Sequence, residues 1–244
     1  MKAIRILSVL TAAILLGYLV LTALFFQKSR RGGLCTELIV EVRDSRKARF
    51  ISEAGMVATL KQTGLYPVGR MMDGINTEQM EKELIRNDMI DRVNIYKTPS
   101  GIVRIDAWQK TPLMRVMSAD GDFYIDSRGS LMSVSRHYAV HVPVAGGYVG
   151  KEFAKTELYE FALFLQENEF WNNQIEQIYV HPDRDVELVP RVGEHRILLG
   201  PMDNFREKLE NLRLFYRQAM PKLGWGKYRI INLKFKNQIV CTKK

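Results

Sequence analysis

Residues 93–112 read VNIYKTPSGIVRIDAWQKTP. Apolar residues alternate in Val93-Asn94-Ile95 and again in Val103-Arg104-Ile105-Asp106-Ala107, and Pro99-Ser100-Gly101 supplies a turn between them. Alternation at period two with turn chemistry in the middle predicts a pair of strands. Pro112 closes the unit. Upstream, Leu38–Val42 is a short β-rich run followed by a charged turn, Arg43–Arg49. Ser52 can then cap a helix whose Ala54, Val57 and Leu60 recur at a spacing of three, and Gly64 ends it. A Pro/Gly-bearing link, 66–69, leads to a second helix with Thr77 as cap, Glu78 and Gln79 in the first turn, and Met80 and Leu84 on its apolar stripe. The order β-α-α-β-β over residues 37–111 predicts a sheet with two helices on one face.

Farther toward the N-terminus, residues 6–26, ILSVLTAAILLGYLVLTALFF, form an uncharged run of 21 residues. At about 1.5 Å per residue this matches the ~30 Å hydrocarbon core of a bilayer. The apolar stretch is longer than a cleaved signal peptide requires, and Phe25-Phe26-Gln27-Lys28 offers no small-residue cleavage site, so the run predicts a retained transmembrane anchor. It divides a tail, 1–5, from a basic juxtamembrane linker, 27–36. Lys2 and Arg5 balance Lys28, Arg30 and Arg31, so charge alone does not orient it. A short inside tail and a long outside body is the simpler topology, with Cys35 expected just beyond the membrane on the outer side, open to thiol reagents.

Beyond Pro112 the texture changes. From Leu113 to about Val149 the sequence reads as an antiparallel meander broken at Asp120-Gly121-Asp122, Ser127-Arg128-Gly129 and Gly146-Gly147. A helix follows, with Thr156 near its start and Leu158, Phe161 and Leu165 on one face. Three strands come next, carried by Ile175, Ile178 and Val180, by Val186 and Leu188, and by Ile197 and Leu199. Phe205, Leu209, Leu212, Tyr216 and Ala219 then repeat at four, three, four, three behind an Asp203/Asn204 cap, the pattern of an amphipathic helix. A single final strand, 228–240, is expected to set Ile231, Leu233, Phe235 and Ile239 on one face.

Side-chain chemistry does not favour catalysis. His137 and His141 lie four apart on an alternating run, roughly 13 Å apart in a strand and too far for one metal. Asp183, Asp185 and Glu187 lack the glycine and terminal bidentate carboxylate of a calcium loop and read as a solvated strand face. Gly146-Gly147-Tyr148-Val149-Gly150 has no following Lys-Ser/Thr and reads as a turn. Ser127, Ser130, Ser133 and Ser135 have no setting that would activate a nucleophile. The net charge of +9 is read as scattered, with no long basic block beyond the linker, so nucleic acid is not indicated. Two cysteines, Cys35 and Cys241, indicate no disulfide framework. No catalytic, cofactor-binding or metal site and no small-molecule substrate are expected.

The order of parts resembles the FtsQ family of bacterial cell-division proteins. The resemblance rests on the N-terminal anchor, the module ending at Trp108-Gln109-Lys110-Thr111-Pro112, the meander with Gly121-Asp122-Phe123-Tyr124-Ile125-Asp126 and Gly129, and the closing Ile231-Asn232-Leu233-Lys234-Phe235 run. It implies an α+β chain: transmembrane helix, POTRA domain at 37–111, and an FtsQ-type, mainly antiparallel β domain with two helices at 112–244. It further implies a single-pass inner-membrane scaffold at the division septum, N-terminus cytoplasmic and main domain periplasmic, linking early and late division components. Its expected partners are FtsB-like and FtsL-like coiled-coil proteins, with FtsW-like and FtsK-like proteins as further contacts. By analogy the partner surface falls on the last strand and the helix before it, at Tyr228, Ile230, Asn232, Lys234, Phe235, Lys236, Gln238, Ile239 and Val240, through strand addition. Two departures from the family pattern are the short tail before the apolar run and the few residues after the strand. The other reading is a POTRA-bearing component of an outer-membrane transport or assembly pathway, which would ordinarily carry several POTRA repeats or a β-barrel.

Overall fold

A computed structural model describes residues 13–22, 33–44, 49–119, 121–135 and 138–244. Of the apolar run 6–26, residues 13–22 are helical with their apolar side chains exposed, Ile14, Leu16 and Leu21 among them. No helix among the described residues is long and apolar enough to cross a membrane. The tail 1–5, the rest of the expected anchor and linker residues 27–32 lie outside the described residues.

The chain divides into two compact units, one holding residues 51–108 with the N-terminal part, the other 109–244 with residues 46–50. In the first, β1 (Glu37–Val42), α1 (Glu53–Gln62), α2 (Thr77–Ile85), β2 (Ile90–Lys97) and β3 (Ile102–Gln109) follow the expected order. Ser52 caps α1 by accepting from Gly55 N, and Gly64 follows at φ +69°. The cap of α2 is Asn76 rather than Thr77: its side chain accepts from Gln79 N, which makes Thr77 the first helical residue. The sheet order is β1-β3-β2, with β1 parallel to β3, and Val103, Ile105 and Ala107 of the central strand pack against Met56, Leu60, Met80 and Leu84. Cys35 is buried here at 2% exposure, its Sγ donating to Glu37 O at 3.3 Å, so it is not the accessible thiol expected from sequence.

The second unit is one mixed nine-stranded sheet. Its strands are β4 (Pro112–Ser118), β5 (Gly121–Asp126), β6 (Leu131–Ser133), β7 (Val144–Gly147), β8 (Ile175–Val180), β9 (Val186–Pro190), β10 (Arg196–Gly200), β11 (Tyr228–Asn232) and β12 (Val240–Lys243), in the order β12-β11-β10-β9-β8-β7-β4-β5-β6. Five helices accompany it among the described residues, not two: α3 (Lys151–Lys155), α4 (Glu157–Glu167), α5 (Glu169–Gln174), α6 (Phe205–Gln218) and α7 (Met220–Leu223). Val116, Ala145, Ile178, Leu188, Ile197 and Ile231 are register partners across six neighbouring strands and all lie in the core with Leu158, Phe161, Leu209 and Leu212. Period-two alternation sends the next row, Met117, Gly146, Tyr179, Glu187, Leu198 and Asn232, to the opposite face.

Several expectations give way to tertiary pairing. The meander stops after β6, because β7 pairs parallel with both β4 and β8. Gly146-Gly147 belongs to β7 rather than to a turn; at Gly147, φ +91°, a Cβ would sit 2.3 Å from Val180 O. The alternating run 138–143 is not a strand, and His141 meets Arg191 instead. Glu187 is buried rather than solvated, held by Arg196 at 3.1 Å and beside His181 Nε2 at 3.5 Å. Helix α6 starts at Asn204 in the left-handed region, with no side-chain cap bond.

Candidate partner-binding edge

The last long run folds back on itself. Tyr228–Asn232 forms β11, residues 233–239 turn, and Val240–Lys243 returns antiparallel as β12, pairing Ile230 with Thr242, Ile231 with Cys241 and Asn232 with Val240. The single strand expected over 228–240 is therefore a hairpin. Asn237 sits at φ +58° in its turn, a conformation that asparagine tolerates better than most side chains, and the Asn232 side chain accepts from Lys234 N at 2.9 Å to start the bend. Asn232 and Asn237 are the local signals of this reversal.

The hairpin redistributes the expected partner-binding residues. Tyr228, Ile230 and Asn232 lie on β11, an inner strand between β10 and β12, so their backbones are already paired. Lys234, Phe235, Lys236, Gln238 and Ile239 lie in the turn, where Gln238 N donates to Phe235 O at 3.3 Å. Val240 alone belongs to the outermost strand. Phe235 is no core residue: it is 53% exposed, whereas Leu233 is buried and its N–H donates to Leu198 O at 2.9 Å. Sequence reasoning missed Cys241, Thr242 and Lys243, which with Val240 make the edge itself.

Two ion pairs clamp the hairpin to the sheet. Lys234 bonds Asp185 and Lys244 bonds Glu194. The hydrogen bond from Lys244 holds the Glu194 carboxyl below its ordinary range, and the bond to Asp185 raises Lys234 above its own. Cys241 turns toward the core, and burial pushes its thiol up, the opposite of a reactive thiolate. Beside the turn, a cleft of about 400 Å³ opens between Phe235 and Gln238 on one side and Asn204 with Glu207, Lys208 and Asn211 of the following α6 on the other.

The motifs that carried the family resemblance have local structural work. The buried Asp126 carboxylate accepts from Arg128 N and Ser130 N, both at 2.8 Å, and pairs with Lys110 at 3.3 Å. Gly129, at φ +75°, would drive a Cβ to 3.1 Å from the Tyr159 ring. Gln109 accepts from Phe50 N at 2.7 Å, and Pro112 opens β4, a position where its missing N–H is tolerated. Residues 111–242 match the model described as FtsQ/DivIB, C-terminal related. The chain belongs to the FtsQ/DivIB-related family. Residues 33–108 match a POTRA-like domain, and no curated protein matches the chain. Membership makes this a cell-division protein of a membrane-anchored family, assembled from non-enzymatic scaffold domains.

Proposed function

We propose that this FtsQ/DivIB-type protein is a membrane-anchored scaffold of the division machinery, its two units on the outer side, and that it takes up an extended segment of an FtsB-like partner along β12. FtsL-like proteins would join through that partner, and FtsW-like and FtsK-like proteins would use other surfaces. The observation that carries this reading is the place of β12 as the outermost strand of the nine. Lys244 N donates to Lys227 O, so by the alternation of an antiparallel ladder Thr242 and Val240 also address β11, while Cys241 and Lys243 turn N–H and C=O outward. An incoming strand bonds to those outward groups, and the cleft beside Phe235 can receive a flanking side chain. The apolar, exposed helix 13–22 supports the anchor.

Charge supports the chemistry of the partner segment. Residues 211–244 hold nine Lys and Arg and no Asp or Glu; the whole chain has 36 and 27, which leaves 27 of each sign in residues 1–210. The entire net charge of +9 thus belongs to the stretch that builds α6's second half, α7 and the β11–β12 hairpin. Two copies of such an edge repel, and an acidic strand is attracted.

The test separates backbone from charge. Lys243→Pro removes one outward N–H, and Lys243→Gln removes only the charge. Titration calorimetry of each against an FtsB-like partner domain should show at least a tenfold loss for the proline variant and a smaller, salt-sensitive loss for the glutamine. Unchanged affinity for a folded Lys243→Pro protein removes the site from this edge.

A further inference from the structure

Beneath the C-terminal edge lies a histidine that the docking reading does not use. His195 is 1% exposed and immediately precedes β10. Its Nε2 lies 2.6 Å from Tyr216 Oη on α6, and its ring lies 6.3 Å from that of Trp225, in the turn that enters β11. Two aromatic rings thus face the imidazole, and Tyr216 in turn contacts Trp225 at 5.0 Å and Trp171 of α5 at 6.2 Å. Its Nδ1 is buried without a hydrogen-bond partner, close against the Gly193 backbone.

The charged neighbours are directed elsewhere. Glu194 bonds Lys244 just past β12, and Arg196 crosses to Glu187. Among the described residues, the ring meets the Tyr216 hydroxyl from α6 and Trp225 from the turn before β11. Among the described residues, no carboxylate bonds to His195. A neutral imidazole carries one N–H, which this site can serve; an imidazolium carries two, and the second points where no acceptor stands. A buried unpaired N–H on a cation is costlier than a bare nitrogen lone pair.

We propose that His195 is a pH-sensitive latch on the β12 edge: neutral, it seals segment 193–195, α6 and the turn before β11 into one cluster, and protonated, it leaves that cluster and loosens the hairpin. The linkage to the edge is direct. Glu194, the next residue, holds Lys244, and Trp225 stands three residues before β11.

Burial already pushes the histidine below its ordinary value, and it lifts the Tyr216 hydroxyl well above an ordinary phenol, so both stay neutral around pH 7. The unfolded chain takes up the proton more readily than the folded one. The latch therefore contributes fully above the ordinary histidine pKa of about 6.5, and its contribution falls as the pH drops below that value. A domain facing the outside of the cell would meet such acid, a consequence that rests on the proposed topology; the latch itself does not.

Amide hydrogen exchange on the full chain in detergent micelles tests it, at pH 7.5 and 5.5 with times scaled for the intrinsic rate. His181 is replaced by Gln throughout, because its Nε2 lies 3.5 Å from Glu187 in the same sheet and the readout is to report on His195 alone. The amides of residues 240–244 should lose at least tenfold more protection at pH 5.5 than those of β8 and β9, and His195→Gln should abolish the difference. Should that variant not fold, a carbon-detected NMR titration of the His195 ring in the otherwise unchanged chain replaces it, with Thr242 and Lys243 amide shifts expected to follow the ring. Equal protection across the sheet, an undiminished effect in His195→Gln, or a ring that titrates without response in β12 overturns the latch. Acid loosening of β12 in a protein whose Lys243→Pro variant keeps full partner affinity would retain the latch and remove only the docking reading.

Discussion

The nine-stranded sheet ends in two edges that are built on different principles. At one, β6 is three residues long, and its central Met132 is fully buried. The turn that leads into it is locked from inside by the Asp126 carboxylate, with two backbone N–H groups and Lys110 as partners. At the other, β12 exposes Val240 to 44%, turns Cys241 toward the core, and is tied at the surface by Lys234 with Asp185 and Lys244 with Glu194. Both edges are short; the first is further protected by interior fastening, the second by like charge. An edge defended by charge refuses copies of itself and stays open to a strand of the opposite sign.

The sharpest way to break this comparison is to delete the interior fastener. Asp126→Ala removes a buried carboxylate, orphans Lys110 and two turn N–H groups, and should cost about 3–5 kcal/mol by urea unfolding. A loss below about 1 kcal/mol would make the two edges energetically alike. Next in size, Met132→Ala should cost about 2–5 kcal/mol as a core cavity, whereas the matched truncation Val240→Ala should stay within about 0.5 kcal/mol. Smallest of all, Lys244→Ala should leave the unfolding midpoint unmoved within error, because both partners are solvated and salt screens them. Its effect should appear instead as faster exchange of the Thr242 amide. Salt sharpens the contrast once more: raising ionic strength from 0.05 to 0.5 M, chosen to shorten the screening length, should slow association of an acidic partner segment at β12, read by stopped flow.

Three readings that rest on neighbours in sequence held. The hairpin at Pro99-Ser100-Gly101, the Ser52 cap and the four-three-four-three stripe of α6 are local signals, and the structure contains each. Where a strand's partner lies far along the chain, composition said nothing of it. Val144–Gly147 became a central parallel strand because Met117 and Tyr179 flank it, although two glycines read as a turn. Glu187 alternates like a solvated residue and is buried because Arg196 and His181 meet it. The stretch proposed as the site reads as one strand and folds as two, since alternation runs through Leu233 and Phe235 as if no bend intervened, and Asn237 is a weaker turn signal than glycine. The His195 cluster left no trace, because Tyr216, Trp225 and Trp171 are brought together only by folding. Cys35 carries a practical lesson: outer-side topology is better probed with a cysteine at the exposed Ser100, in a chain whose own two cysteines are replaced by Ser. An impermeant thiol reagent should label it in intact spheroplasts, and labelling only after lysis would invert the proposed topology.

The parallel pairing of β10 with β11 has a consequence in time. Residues 201–227, with α6 and α7, must be made before Ile197 can meet Ile231, and the antiparallel return of β12 comes later still. On a ribosome that adds residues at ~5–20 per second, β10 stands for a second or more as a bare, apolar edge with no neighbour on that side. Of the nine strands β12 is the last to be laid down, so its presence reports that the other eight have been made. A division machine that recruits through this strand would check that the other eight are in place by the same contact that it uses to assemble.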